Sequence, residues 1–317
     1  MTINIKTKLS ILAAAAVALI AAFLFIKLGA NWGYALPRRG TKVLAMVLTA
    51  VTIAFSTMVF QTITNNRILT PSILGLDSLY NLIQTVVIFA FGSTTMTAMN
   101  KNVNFVLCVG VMVLFAGVLY KIIFRREGRN VYFLLLVGII FGTLFQSFSS
   151  FMQVLIDPNE YLRLQDKLFA SFNNVNKDLL YLSIAALLVI GLYFKRFAKY
   201  LDVLSLGKEQ AINLGVDYDY VVKRLLVLVA ILVSISTALV GPITFLGLLV
   251  ANVTHQLMGT YRHSQLIVGS MLISIIALVG GQLIVERVFT FTTTVSVVVN
   301  LAGGLYFIYL LLKENKS

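Results

Sequence analysis

Charge is what this sequence has least of. Charged side chains make up 12% of its 317 residues and hydrophobic ones 59%, with a mean hydropathy of +0.93. Soluble domains carry about 25% charged residues, so a soluble globule is excluded: it could not hide this much apolar surface. Cys108 is the single cysteine, which excludes an intramolecular disulfide and a thiolate metal cluster. The two histidines, His255 and His263, have no carboxylate near them in sequence, so no metal site is expected. The phosphate-cradling pattern G-x-x-x-x-G-K-[ST] is missing; Gly207-Lys208 is followed by Glu209 and lacks the earlier glycine. If ATP drives this protein, another subunit binds it. Clustered carboxylates or a Ser/His pair within the apolar runs, which an intramembrane enzyme would need, are also missing. So is a basic block interleaved with aromatics, and the net charge of +13 therefore reads as loop lysines and arginines near lipid rather than as a nucleic-acid surface.

What is there is a succession of apolar runs. Ten spans are predicted, over Leu9–Leu28, Val43–Ile63, Ser72–Phe91, Val103–Phe124, Val131–Ile156, Leu179–Phe194, Leu225–Val240, Ile243–Met258, Leu266–Val285 and Val295–Leu312. The expected fold is an all-α membrane protein, a polytopic bundle of about ten transmembrane helices. No polar interval is long enough to fold by itself, so residues 1–317 read as a single transmembrane permease domain. Lys6 and Lys8 before a long first run, with no A-x-A site after it, suggest a retained span. Most of the 25 Lys and Arg fall on one side when the spans are threaded with both ends inside, the bias expected of the cytoplasmic face. Arg38, Arg39 and Arg287 fall on the other side, with Arg38 and Arg39 in a short loop, NWGYALPRRG. The interval Asp157 to Asp178, also outside, has the pattern of a short surface helix.

Several polar residues lie within the runs. Thr143, Gln146, Ser150 and Gln153 recur at helical spacing on one face of the fifth span. Such a face either glues helices together or lines a wet pathway. Thr49, Thr52 and Ser56 of the second span read as packing. Asn300 lies at membrane depth ahead of Gly303-Gly304. Asp77 is the acid placed within a span, as a proton site or as an interface residue near Arg67. The longest polar, charge-bearing interval between runs in the second half is Leu201 to Arg224, an amphipathic pattern (Leu204, Leu206, Ala211, Ile212, Leu214) cut by Gly207 and Gly215.

These residues, in this order, resemble the FecCD family, membrane permease subunits of bacterial ABC importers for iron–siderophores, haem and cobalamin. Gln61, Asn66, Pro71 and Gly75 follow its Q-x-x-x-x-N-P-L-x-x-P-x-x-x-G. LSLGKEQAINLGV follows its L-x-L-G-E-x-x-A-x-x-L-G-V. LPR (Leu36 to Arg38), GPITFLGLLVANVTHQLMG and the closing GGLYFIYLLLK fall in the family's order. Arg67, Ala251-Asn252, His255, Thr294-Val295-Ser296 and Ala35 depart from the pattern, in a way similar to permeases for catecholate siderophores such as petrobactin.

The resemblance implies a type II ABC importer permease in the bacterial cytoplasmic membrane. It implies a second permease subunit, identical or homologous, and two ATPase subunits that carry ATP and Mg. It also implies an extracytoplasmic binding lipoprotein that delivers a ferric siderophore, with no cofactor held by this chain. Arg38, Arg39 and Arg287 would dock the binding protein. Leu204, Leu206, Gly207, Glu209, Ala211, Leu214 and Gly215 would couple to the ATPase. Thr143, Gln146, Ser150, Gln153 and Asn300 would line the pathway. Ten spans and Asp77 also admit a secondary transporter, or a permease for another large chelate with a different energy source.

Overall fold

A computed structural model describes residues 4–26, 32–98, 101–123, 131–290 and 293–314. The interval between the fourth and fifth expected spans, with Arg125, Arg126 and Arg129, lies outside them. Regular structure among the described residues is helical: α1 (Ile5–Phe25), α2 (Trp32–Thr64), a 3-10 turn (Pro71–Leu74), α3 (Leu76–Ala98), α4 (Lys101–Ile123), α5 (Val131–Leu155), α6 (Pro158–Leu168), α7 (Lys177–Phe194), α8 (Ala198–Leu204), α9 (Lys208–Asn213), α10 (Tyr218–Val240), α11 (Leu246–Met258), α12 (His263–Arg287) and α13 (Val295–Glu314). Side-chain caps fix several starts. Asn4, Asp157, Asn176 and Asp217 accept from the backbone N–H groups of Lys6, Asn159, Asp178 and Tyr220, groups that have no partner inside their own helix.

Among the described residues, seven helices are long and apolar enough to cross a membrane, and three shorter apolar ones, Leu76–Gly92, Leu246–Met258 and Val295–Tyr309, join them. These account for the ten expected spans. Several boundaries differ: α10 begins at Tyr218 rather than Leu225, taking in the end of the interval expected to precede it, and α11 begins at Leu246 rather than Ile243. The expected loop NWGYALPRRG is, from Trp32 on, the first turns of α2, with Pro37 inside it. Pro37, the sixth residue of α2, withholds one N–H from the Gly33 carbonyl, a single bond on the exposed first turns of the helix. The third span loses Ser72 to the 3-10 turn, and its helix is broken by Gly92, with φ 74° and ψ 158°.

α2 and α10 are the central posts. Within the bundle 78% of the α2 window and 72% of the α10 window is buried, against 11% for α1 and 17% for α7, which form the periphery. α2 packs against α12, α10 and α11, α3 against α5, and α10 against α4. α2 contributes to both large apolar clusters: its first half joins α1, α11 and α12, and its second half joins α3, α4 and α10. Lipid competes equally well for apolar side chains, so close approach of small residues matters most for such packing. A Cβ on Gly138 would lie 2.9 Å from the Cα of Leu74, and one on Gly142 would lie 3.3 Å from the Cα of Gly75. Gly138-x-x-x-Gly142 on α5 thus seats the 3-10 turn directly on the helix backbone.

Candidate functional site

Three separated places carry the residues singled out by the sequence. The first is a groove between α5 and the 3-10 turn with the start of α3, enclosing about 500 Å³. Ser72, Gly75 and Ser78 form one wall, and Gly142, Thr143, Gln146, Ser147 and Ser150 the other. Thr143 and Ser147 donate back to the carbonyls of Ile139 and Thr143 at 2.9 Å each, so their hydroxyls are satisfied along the helix and present a neutral polar wall. Gln153, the fourth residue of the predicted face, turns away. Its Nε2 donates to Ser149 Oγ at 2.9 Å and Thr85 Oγ1 at 3.3 Å, and those two hydroxyls lie 2.8 Å apart. This buried cluster ties α5 to α3, so the predicted face divides: three residues line the groove and one joins helices. Asn300 does not reach the groove either. Its Oδ1 accepts from the backbone N–H of Phe245 at 3.3 Å, at the start of α11. Ser72, Ser78 and Ser147 were missed in the sequence reading; the Gly138–Gly142 spacing was the available signal for a close approach there.

Asp77 lies behind the same wall, in the first turn of α3. Thr237 Oγ1 donates to its Oδ1 at 3.5 Å, and Ser72 and Thr244 hydroxyls also reach it. Arg67, its suggested partner, is elsewhere. The carbonyl of Arg67 accepts from Gln61 Nε2 at 2.6 Å and from Asn252 Nδ2 at 3.1 Å. Two departures from the family pattern, Arg67 and Asn252, therefore meet.

The second place is one end of the bundle. Arg39 Nη1 donates to the carbonyls of Phe23, Leu24 and Ile26 at 3.1, 3.0 and 2.8 Å, and Arg287 Nη2 to Ile26 at 2.9 Å. Both arginines cap the C-terminus of α1, where unpaired carbonyls favour a cation. Arg38 is exposed, one turn from Tyr34, whose hydroxyl accepts from it at 3.3 Å. Lys42 and Glu286 pair beside them at 3.0 Å with little exposure.

The third place is α8–α9 with its flanks. Gly207, at φ 100°, opens α9, and Gly215, at φ 81°, closes it. The N–H groups of Gly215 and Val216 bond the carbonyls of Ile212 and Ala211, which makes the left-handed helix ending that glycine favours. Leu204 and Ala211 turn inward, at 1% and 0% exposure, whereas Leu206, Ile212 and Leu214 stand out at 56%, 50% and 61%. The predicted apolar pattern thus divides into an anchoring pair and a protruding trio. Glu209 sits on the exposed first turn of α9.

A profile of the FecCD transport family matches residues 30–313. The chain belongs to that family. It is 66% identical, over 98% of its length and 99% of the relative's, to the petrobactin import system permease protein YclO of Bacillus subtilis. It is 39% identical, over 87% of its length and 78% of the relative's, to the petrobactin import system permease protein FatC of Bacillus anthracis. A solved chain in an inward-facing conformation, described as of the metal-chelate ABC transporter type, superposes with a TM-score of 0.83. That match is 21% identical and covers 98% of this chain and 100% of the other. The fold is therefore the ABC importer permease fold, and the protein is a membrane-embedded transporter rather than an enzyme.

Proposed function

We propose that this chain is the permease subunit of an ATP-binding-cassette importer that carries a ferric siderophore, of the kind petrobactin import systems handle, across the bacterial cytoplasmic membrane. The observation that carries this reading is the 66% identity along nearly the whole chain to a petrobactin import permease. Residues 1–317 form one permease domain with both termini cytoplasmic. It pairs with a second permease, identical or homologous. Two ATPase subunits hold ATP and Mg, and a binding lipoprotein delivers the ferric complex from outside.

In this reading Leu206, Ile212 and Leu214 enter a cleft of the ATPase. Full burial of one such side chain contributes about 1.5–3 kcal/mol, enough for three half-exposed residues to hold a coupling contact. Gly207 and Gly215 bound the element that moves with the ATPase. Arg38, supported by Arg39 and Arg287, meets carboxylates of the binding protein and sets its orientation and on-rate more than its affinity. The ferric complex passes the Thr143, Gln146 and Ser150 wall, where hydroxyls and amides exchange hydrogen bonds with a bulky polar cargo without a fixed charge to trap it. ATP drives the cycle through its different affinity for the two conformations of the assembly.

Deleting the gene in its host and measuring uptake of radio-iron as ferric petrobactin tests the reading. Uptake should fall to background and return with the plasmid-borne gene. Undiminished uptake, with the related permeases of the host also removed, would contradict it.

A further inference from the structure

α9 reaches the bundle through α8 and α10, and α8 rests on α2 and α12. The contact between α8 and α12 is specific. Asp202, on α8, accepts the backbone N–H of His263 at 2.9 Å, and the His263 ring Nδ1 lies 2.7 Å from the same oxygen. A carboxylate can only accept, so Nδ1 carries the hydrogen. The His263 side chain is 8% exposed and that of Asp202 51%. Burial disfavours the Asp202 charge, but the two bonds from His263, that ring and Arg262 outweigh it and hold the carboxyl below its ordinary 3.8. The acceptor is thus ionised at neutral pH, and its charge is lost as pH falls through that lowered value. Two residues on, the carbonyl of Leu204 accepts from Asn65 Nδ2, at the end of α2, at 3.4 Å.

His263 is the first of the 25 residues of α12, a helix about 37 Å long at 1.5 Å per residue. Its last turn bears Glu286, paired with Lys42, and Arg287, bound to the end of α1. α12 is therefore fastened by a charged contact at each end, to α8 at one and, through Lys42 and the Ile26 carbonyl, to α2 and the end of α1 at the other. A packed helix moves as a body rather than deforming. A displacement delivered at His263 consequently arrives at Glu286 and Arg287. α10 offers a second route from α9, but it ends at Gly241, against Ala170; the α12 route ends on the arginines.

We propose that Asp202 and His263 are a positioning pair that hands the movement of α9 to α12, making α12 the strut between the ATPase-facing and binding-protein-facing ends. The proposal rests on the importer reading above.

The test uses the complete importer in proteoliposomes, with the ATPase and loaded binding protein, and reads ferric-siderophore uptake per ATP hydrolysed. Wild-type protein that shows no ATP-driven uptake would remove the importer reading itself, a result separate from any variant. In Asp202→Asn and in His263→Asn the ATPase should still co-purify, and uptake per ATP should fall about fivefold or more, the range of a typical coupling between sites. The double variant should be no worse than the poorer single, and Asp202→Glu should recover most of the ratio. Asn65→Ala, which loosens α8 from α2 without touching His263, should keep it. Should His263→Asn fail to assemble, Asp202→Asn carries the test, since its side chain is half exposed. Wild-type uptake per ATP in the single variants would overturn the proposal. So would losses that multiply in the double variant, or melting temperature and hydrolysis falling together at an unchanged ratio.

Discussion

Gly138 and Gly191 look alike in sequence, each a glycine in an apolar helix, yet they meet different surroundings. A methyl on Gly138 strikes the backbone of Leu74 and Ile73 at 2.9 and 3.0 Å, while one on Gly191 meets nothing within 4 Å. Gly138→Ala should therefore destabilise by about 1–3 kcal/mol and push Ser72 away from the groove wall. Gly191→Ala should be neutral or stabilising by up to about 1 kcal/mol. Melting of the detergent-solubilised protein checks both, and equal effects would remove the close seat of the 3-10 turn on α5. The arginines separate in the same way. Arg38→Glu should weaken binding-protein association without lowering the melting temperature. Arg287→Glu should lower both, because Ile26 loses a charge-assisted hydrogen bond worth roughly 1 kcal/mol at a partly exposed site. Sequence spacing put Thr143, Gln146, Ser150 and Gln153 on one face, but could not say that Gln153 would find Ser149 and Thr85. Ser149 is a neighbour on the same helix, but Thr85 belongs to α3, and the Ile26 carbonyl that holds Arg287 lies at the far end of the sequence.

At the scale of elements, helix positions were legible because apolar runs, capping residues and glycines act locally. The start of α2 was not, since Pro37 and Gly40 read as loop residues although a helix start tolerates both. The amphipathic pattern of Leu201 to Arg224 was legible as a unit, but its division was not. Leu204 and Ala211 anchor it to the bundle, and Leu206, Ile212 and Leu214 protrude. Leu214→Glu should thus weaken co-purification with the ATPase and leave the permease folded, whereas Ala211→Glu should impair folding of the permease itself. Gly207→Val meets a different obstacle. At φ 100° a β-branched residue is strained by roughly 1–3 kcal/mol, so α9 should tilt and ATP hydrolysis should proceed with little uptake. Pull-down and a coupled hydrolysis–uptake assay separate the three variants; equal behaviour of Leu214→Glu and Ala211→Glu would contradict the division.

At the scale of the whole molecule, the other eight apolar helices of the described residues stand around α2 and α10. The count of spans could be read from composition, because few side chains other than apolar ones tolerate lipid. The association of distant residues could not: Asp202 with His263, Lys42 with Glu286 and Arg67 with Asn252 join segments far apart in the chain. As the importer proposed above, this bundle moves a ferric siderophore only as part of an ATP-driven assembly. Proteoliposomes holding the chain with the proposed ATPase and second permease, loaded with ATP inside and given ferric petrobactin on the proposed binding protein outside, measure it directly. Iron should enter only when ATP and the binding protein are both present. Entry through this chain alone, driven by a proton gradient without ATP, would contradict it.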